Sequence, residues 1–138
     1  MLTRKATMII LSLVVAFIFV AIYTMANSPN RVIQAYISEQ FATTDPSGSS
    51  TDPVAQFNQY VTDHQLPTPT VTFNTIKKTF SSREVLVSFA VFTYYADDGQ
   101  LKNIHSGLLS FSLTRDILHW QINSIDIIND MQLANNTP

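Results

Sequence analysis

The residues able to move protons or hold a metal are few. Three histidines, His64, His105 and His119, are spread over 138 residues, and there is no cysteine. None stands at metal-ligand spacing from another or from a carboxylate pair, and there is no His-Glu-x-x-His. Proton-transfer chemistry in a small domain needs an acid or base inside an apolar pocket, where its pKa moves toward neutrality. His105, His119, Tyr94 and Asp126 are the one set whose strand positions allow this. His105 and His119 fall on different strands and could meet across a sheet. The plainer reading makes all four rim or surface residues, because nothing in the sequence fixes their geometry. His64 suits a helix C-terminus, where a cation complements the dipole. Asp97 and Asp98 belong to an Asp-Gly turn. There is no Gly-x-Ser-x-Gly, and three glycines are too few for a phosphate-cradling loop. No catalytic, metal or cofactor-binding residue is assigned, no cofactor is expected, and the chain is not read as an enzyme.

The elements that would have to position such residues are dominated by one stretch. From Met8 to Ala26 no charge interrupts an apolar run in which Ser12 and Thr24 are the strongly polar members. A helix over it spans the roughly 30 Å hydrocarbon core of a bilayer and satisfies its own backbone. Its lipid-facing set is Met8, Ile9, Ile10, Leu11, Leu13, Val14, Val15, Phe17, Ile18, Phe19, Val20, Ile22 and Tyr23. Arg4 and Lys5 precede the run, and residues 27–38 carry only Arg31, which favours a cytoplasmic N-terminus and an extracytoplasmic remainder. A cleaved signal peptide shares that polarity but has a shorter core and a small-x-small site, which Thr24-Met25-Ala26 matches poorly. Uninterrupted length and Tyr23 near the outer end favour a retained anchor. The expected organisation is residues 1–7 cytoplasmic, 8–26 spanning, 27–129 exported and 130–138 a flexible tail.

The formal charge of −2, from 8 basic and 10 acidic residues, argues against the clustered basic face of a nucleic-acid binder. No direct nucleic-acid binding is expected. Without disulfides, the exported part must be held by its core.

Ser28-Pro29 reads as N-cap and first helical residue. Val32, Ile33, Tyr36, Ile37 and Phe41 then give one apolar face of a helix ending near Thr43. Residues 43–51 form a loop by composition, and Asp52-Pro53 repeats the cap signal. Val54, Phe57, Tyr60 and Val61 stripe a second helix, which stops before the two prolines of Leu66-Pro67-Thr68-Pro69.

From Thr70 the period changes to two, giving a first strand that bulges or ends near Lys78. Ser81-Ser82 turns the chain into a long strand over 84–96. Val85, Val87, Phe89 and Val91 line one of its faces, and Leu86, Ala90, Phe92 and Tyr94 make the other apolar too. A domain this small cannot hide both faces, so Leu86, Phe92 and Tyr94 are the candidate partner surface. Asp97-Asp98-Gly99-Gln100 makes a hairpin into a third strand over 102–114, with Leu109, Phe111 and Leu113 on one face. Leu118 to Ile128 is a fourth. There Leu118, Trp120 and Ile122 share one parity and Ile125 and Ile127 the other, which requires a bulge near Asn123-Ser124. Residues 130–138 lack periodicity, and the glycosylation triplet Asn135-Asn136-Thr137 falls in that tail. The fold class is α+β: a transmembrane helix, then two helices packed on a curved four-stranded antiparallel sheet.

This order of elements, closed by the strand Leu118-His-Trp-Gln-Ile-Asn-Ser-Ile, resembles the NTF2-like fold. Joined to a short cytoplasmic N-terminus and a single span, it is similar to the VirB8-like subunits of type IV secretion and conjugation machines. The resemblance is architectural and covers residues 1 to about 128; the Asn-Pro-x-Gly turn of many such proteins has no match. It implies a non-enzymatic, self-associating scaffold that docks other channel subunits. Its partners would be membrane lipid, other subunits of an envelope complex and copies of itself. A scaffold would fill the space under its helices with Phe57, Tyr60, Phe111 and Trp120. The alternative, an exported small-molecule-binding domain or enzyme, would leave a pocket lined by His or Asp. A pilin-like subunit is disfavoured, because no glycine precedes the apolar run and no glutamate lies near its start.

Overall fold

The computed structural model describes residues 3–26, 28–43, 51–117 and 119–134. Asn27, the loop residues 44–50, Leu118 and the triplet Asn135-Asn136-Thr137 lie outside them.

The apolar stretch forms helix α1, Arg4–Ala26. Its 23 residues extend about 34 Å at the helical rise. It is long and apolar enough to cross a membrane, and none of its apolar window is buried against the rest of the chain.

Helix α2 runs Pro29–Ala42, with the Ser28 hydroxyl accepting from the Arg31 N–H. Helix α3 runs Pro53–Asp63, and one Asp52 carboxylate oxygen accepts from the Val54 and Ala55 N–H groups. Each cap satisfies donors that the first helical turn leaves unpaired. The two helices are tied where the buried Asn58 donates Nδ2–H to the Gln40 carbonyl at 3.1 Å.

Four antiparallel strands follow in meander order: β1 (Thr70–Lys78), β2 (Ser82–Tyr94), β3 (Leu101–Asp116) and β4 (His119–Leu133). The sheet is open. Gly99, at φ +68°, supplies the left-handed residue of the β2–β3 hairpin, where the Gln100 N–H donates to the Asp98 carboxylate. The bulge expected in the fourth strand is present: Ser112 pairs with Ser124 and Leu113 with Ile122, leaving Asn123 unopposed. Trp120 is thereby kept on the same face as Ile125 and Ile127, all packed into or against the core.

Helices α2 and α3 cover one face of this sheet. Ile33, Ile37, Val54, Phe57 and Val61 interlock with Val85, Val87, Phe89, Val91, Leu109, Phe111 and Leu113. Phe89 is the centre of an aromatic group, stacked on Phe41 and meeting Phe57 edge-on. Gly107 is a core position where a side chain has no room. A Cβ there would lie 2.7 Å from the Phe57 ring and 2.9 Å from the Met131 sulfur.

One boundary differs from expectation. The last strand does not end at Ile128, and residues 130–133 are not a frayed tail. Two further register shifts, between Ser106 and Leu108 and between Leu108 and Leu109, carry β4 to Leu133 opposite His105. The two shifts offset each other in parity, so Met131 stays on the inward face of Ile125 and Ile127 and is buried.

Candidate functional site

The four residues weighed for proton chemistry are not brought together. Register places His105 opposite Val91 and Leu133, and His119 opposite Asp116. The two histidines therefore lie toward opposite ends of the β3–β4 pair, roughly 35 Å apart along the strand by residue rise. They do not meet across the sheet. Asp126 pairs with Ser110 and is exposed, and Tyr94 lies beside Leu101 near the β2–β3 hairpin.

His105 instead faces the helices. It shares the inward parity of Leu109, Phe111 and Leu113, which is the signal in the sequence that marks it. Its Nδ1 lies 2.9 Å from the Tyr60 hydroxyl of α3. Tyr60 in turn stacks on His64, ring centroids 4.0 Å apart, and His64 caps α3 by donating Nδ1–H to the Tyr60 carbonyl. Burial pushes the His105 imidazole below its ordinary value of 6.5, and the charge of nearby His64 adds to the shift. Both effects favour the neutral imidazole, and the Tyr60 hydrogen bond joins β3 to the end of α3 at His105. Among the described residues no carboxylate is hydrogen-bonded into this trio.

The space between helices and sheet is occupied. Phe57, Phe111 and Trp120 are buried and Tyr60 is packed against them. A cleft of about 100 Å³ between α2 and the start of β1 is lined by Gln34, Phe41, Thr68 and Pro69 among others, without an ionisable side chain. Among the described residues no group of three His, Cys, Asp or Glu could hold a metal ion.

Among the described residues, no helix lies on the other face of the sheet. Leu86 pairs with Ser110, Ser88 with Leu108, Ala90 with Ser106 and Phe92 with Ile104, so these residues share the outward face of the two central strands. Leu86, Ala90, Ile104 and Leu108 are half-buried by their neighbours. Phe92 and Tyr94 stand out at 41 and 60 % exposure. The expected partner residues Leu86, Phe92 and Tyr94 thus lie along one strand on one face. Ile104 and Leu108 extend that surface, and strand parity in the sequence does not single them out because Ser106 and Ser110 alternate with them.

Comparison with protein-family models, curated proteins and solved structures finds no match to this chain. What the chain is rests on its own geometry: an α+β meander with two helices on one face, following a long apolar helix.

Proposed function

We propose that the chain is a single-pass membrane protein with its N-terminus in the cytoplasm and its α+β head outside. There it acts as a structural subunit of a cell-envelope assembly. In this reading α1 is a retained anchor in lipid, and the head works through protein–protein contacts with other subunits and with copies of itself. An NTF2-like, VirB8-like role in type IV secretion or conjugative transfer is the family that the element order suggests. The chain is read as a scaffold and not as an enzyme.

One observation carries the reading. The inward face of β2 is covered by α2 and α3, while on its outward face, among the described residues, no helix covers the half-buried Leu86 or the exposed Phe92 and Tyr94. Large apolar side chains on an open sheet face gain about 25 cal/mol per Å² when a partner covers them. The filled space under the helices supports a scaffold over a small-molecule binder.

Chemical crosslinking of the full chain in membranes tests this. Phe92→Asp or Tyr94→Asp should weaken the crosslinked species while the head stays folded; unchanged crosslinking counts against the reading. Alkaline carbonate washing tests the anchor. The intact chain should stay with the membrane, and release of a product beginning at Asn27 would refute retention.

A further inference from the structure

The end of the sheet nearest α1 has a composition unlike the rest of the surface. The β1–β2 turn carries Phe80 and the β3–β4 turn carries Ile117, exposed by 85 and 86 %. The two turns are held side by side, since the Arg115 N–H donates to the Ser81 carbonyl at 2.8 Å. The Arg115 guanidinium lies over the Phe80 ring at 5.4 Å and near Trp120 at 5.9 Å, and Arg83 covers Trp120 at 4.8 Å. Ile117 adopts φ +36°, a conformation costly for a β-branched residue. An isoleucine this exposed gains little from packing within the head.

Charge follows the same pattern. The basic residues after α1 are Arg31, Lys77, Lys78, Arg83, Lys102 and Arg115; four of these six flank the two tips. There they outnumber the acidic Glu84 and Asp116. At the opposite pole the β2–β3 hairpin carries Asp97 and Asp98. The tips also sit beside the anchor: the Tyr23 hydroxyl lies 3.1 Å from His119 Nε2, and His119 pairs with Asp116 at the base of the β3–β4 turn. Tyrosine near the end of an apolar helix marks the level of the membrane interface.

We infer that the tips bearing Phe80 and Ile117 dock into the leaflet from which α1 emerges, with the exposed Lys77 and Lys78 recognising an anionic lipid surface. This rests on the anchor reading above. Basic side chains near such a surface are drawn to it electrostatically, and the two apolar tips add burial in the interface. The head is then held at three points, α1 and two turns, which fixes how its outward sheet face is presented to partners.

The absence of cysteine makes the test clean. Phe80→Cys, Ile117→Cys, Asp98→Cys and Val15→Cys are made singly in the full chain. Each is labelled with an environment-sensitive nitrobenzoxadiazole and reconstituted in vesicles of phosphatidylcholine and phosphatidylglycerol in equal parts. Nitroxide-bearing lipids should quench the probes at 80, 117 and 15, and leave the probe at 98 unchanged. Quenching at 15 without quenching at 80 and 117 overturns the docking and leaves the anchor standing; no quenching at 15 overturns both. A blue-shifted but unquenched probe at 80 or 117 means that a second copy covers the tips, which also overturns the proposal. Lys77→Glu with Lys78→Glu should lower quenching at 117 and not at 15. Undiminished quenching at 117 in that variant would overturn the anionic-surface assignment.

Discussion

Strand β2 carries large apolar residues of both parities, and the fold treats them oppositely. Val85, Val87, Phe89 and Val91 are sealed under two helices, while Leu86, Phe92 and Tyr94 face outward from the same strand. The difference lies in what opposes them. Helices α2 and α3 each present one apolar stripe, and two stripes cover one face of a four-stranded sheet and no more. The comparison teaches that apolar content in a strand has two separate roles here. The inner residues hold the head together. The outer residues are left exposed or half-buried.

The sharpest way to break that comparison is to place the same charge on each face. Phe89→Asp buries a carboxylate among Phe41 and Phe57 and should prevent folding, a loss beyond about 4 kcal/mol. Phe92→Asp, three residues on, should stay within about 0.5 kcal/mol of the parent, because its site is already exposed. Chemical denaturation of the full chain in detergent measures both. Equal losses would erase the distinction between the faces.

Gly107→Val tests the tightest point of the inner face. The added side chain must displace the Phe57 ring and the Met131 sulfur, and overpacking of this kind costs about 1–3 kcal/mol. An unchanged denaturation midpoint would mean that the core is looser than the contacts indicate. Asp52→Ala should cost about 1 kcal/mol by leaving the Val54 and Ala55 N–H groups without their cap.

The smallest effect concerns His105. Its folded pKa is lowered, so the folded chain binds this proton less readily than the unfolded chain. The linked stability is complete above the ordinary value of 6.5 and is lost as pH falls through the lowered folded value. Denaturation midpoints should therefore fall below pH 6.5, and His105→Gln should flatten that part of the profile.

Much of the fold is legible in the sequence, because its signals are local. Ser28-Pro29 and Asp52-Pro53 are cap chemistry, and the helices begin where those pairs place them. The parity change between Ile122 and Ile125 requires one extra residue, and Asn123 is that residue. What escapes is long-range register. The end of β4 is hidden because Met131 stands among polar neighbours, and two further shifts set its pairing. The pairing of His105 with Tyr60 depends on where α3 ends over β3, which neither segment encodes alone. The same holds for Phe80 and Ile117, whose two turns are set side by side only by the Ser81–Arg115 hydrogen bond. The outer face was readable in part, since strand parity marks Leu86, Phe92 and Tyr94, whereas Ile104 and Leu108 join it only through pairing with β2.

The central claim is that the outward face of β2 contacts protein while α1 holds the head at a membrane. A photo-crosslinking amino acid at position 92 of the full chain, irradiated in intact membranes, addresses both parts together. The account predicts a discrete crosslinked product in the membrane fraction that disappears with Leu86→Asp. A probe at 92 that yields only uncrosslinked chain, or a chain found in the soluble fraction, would contradict it.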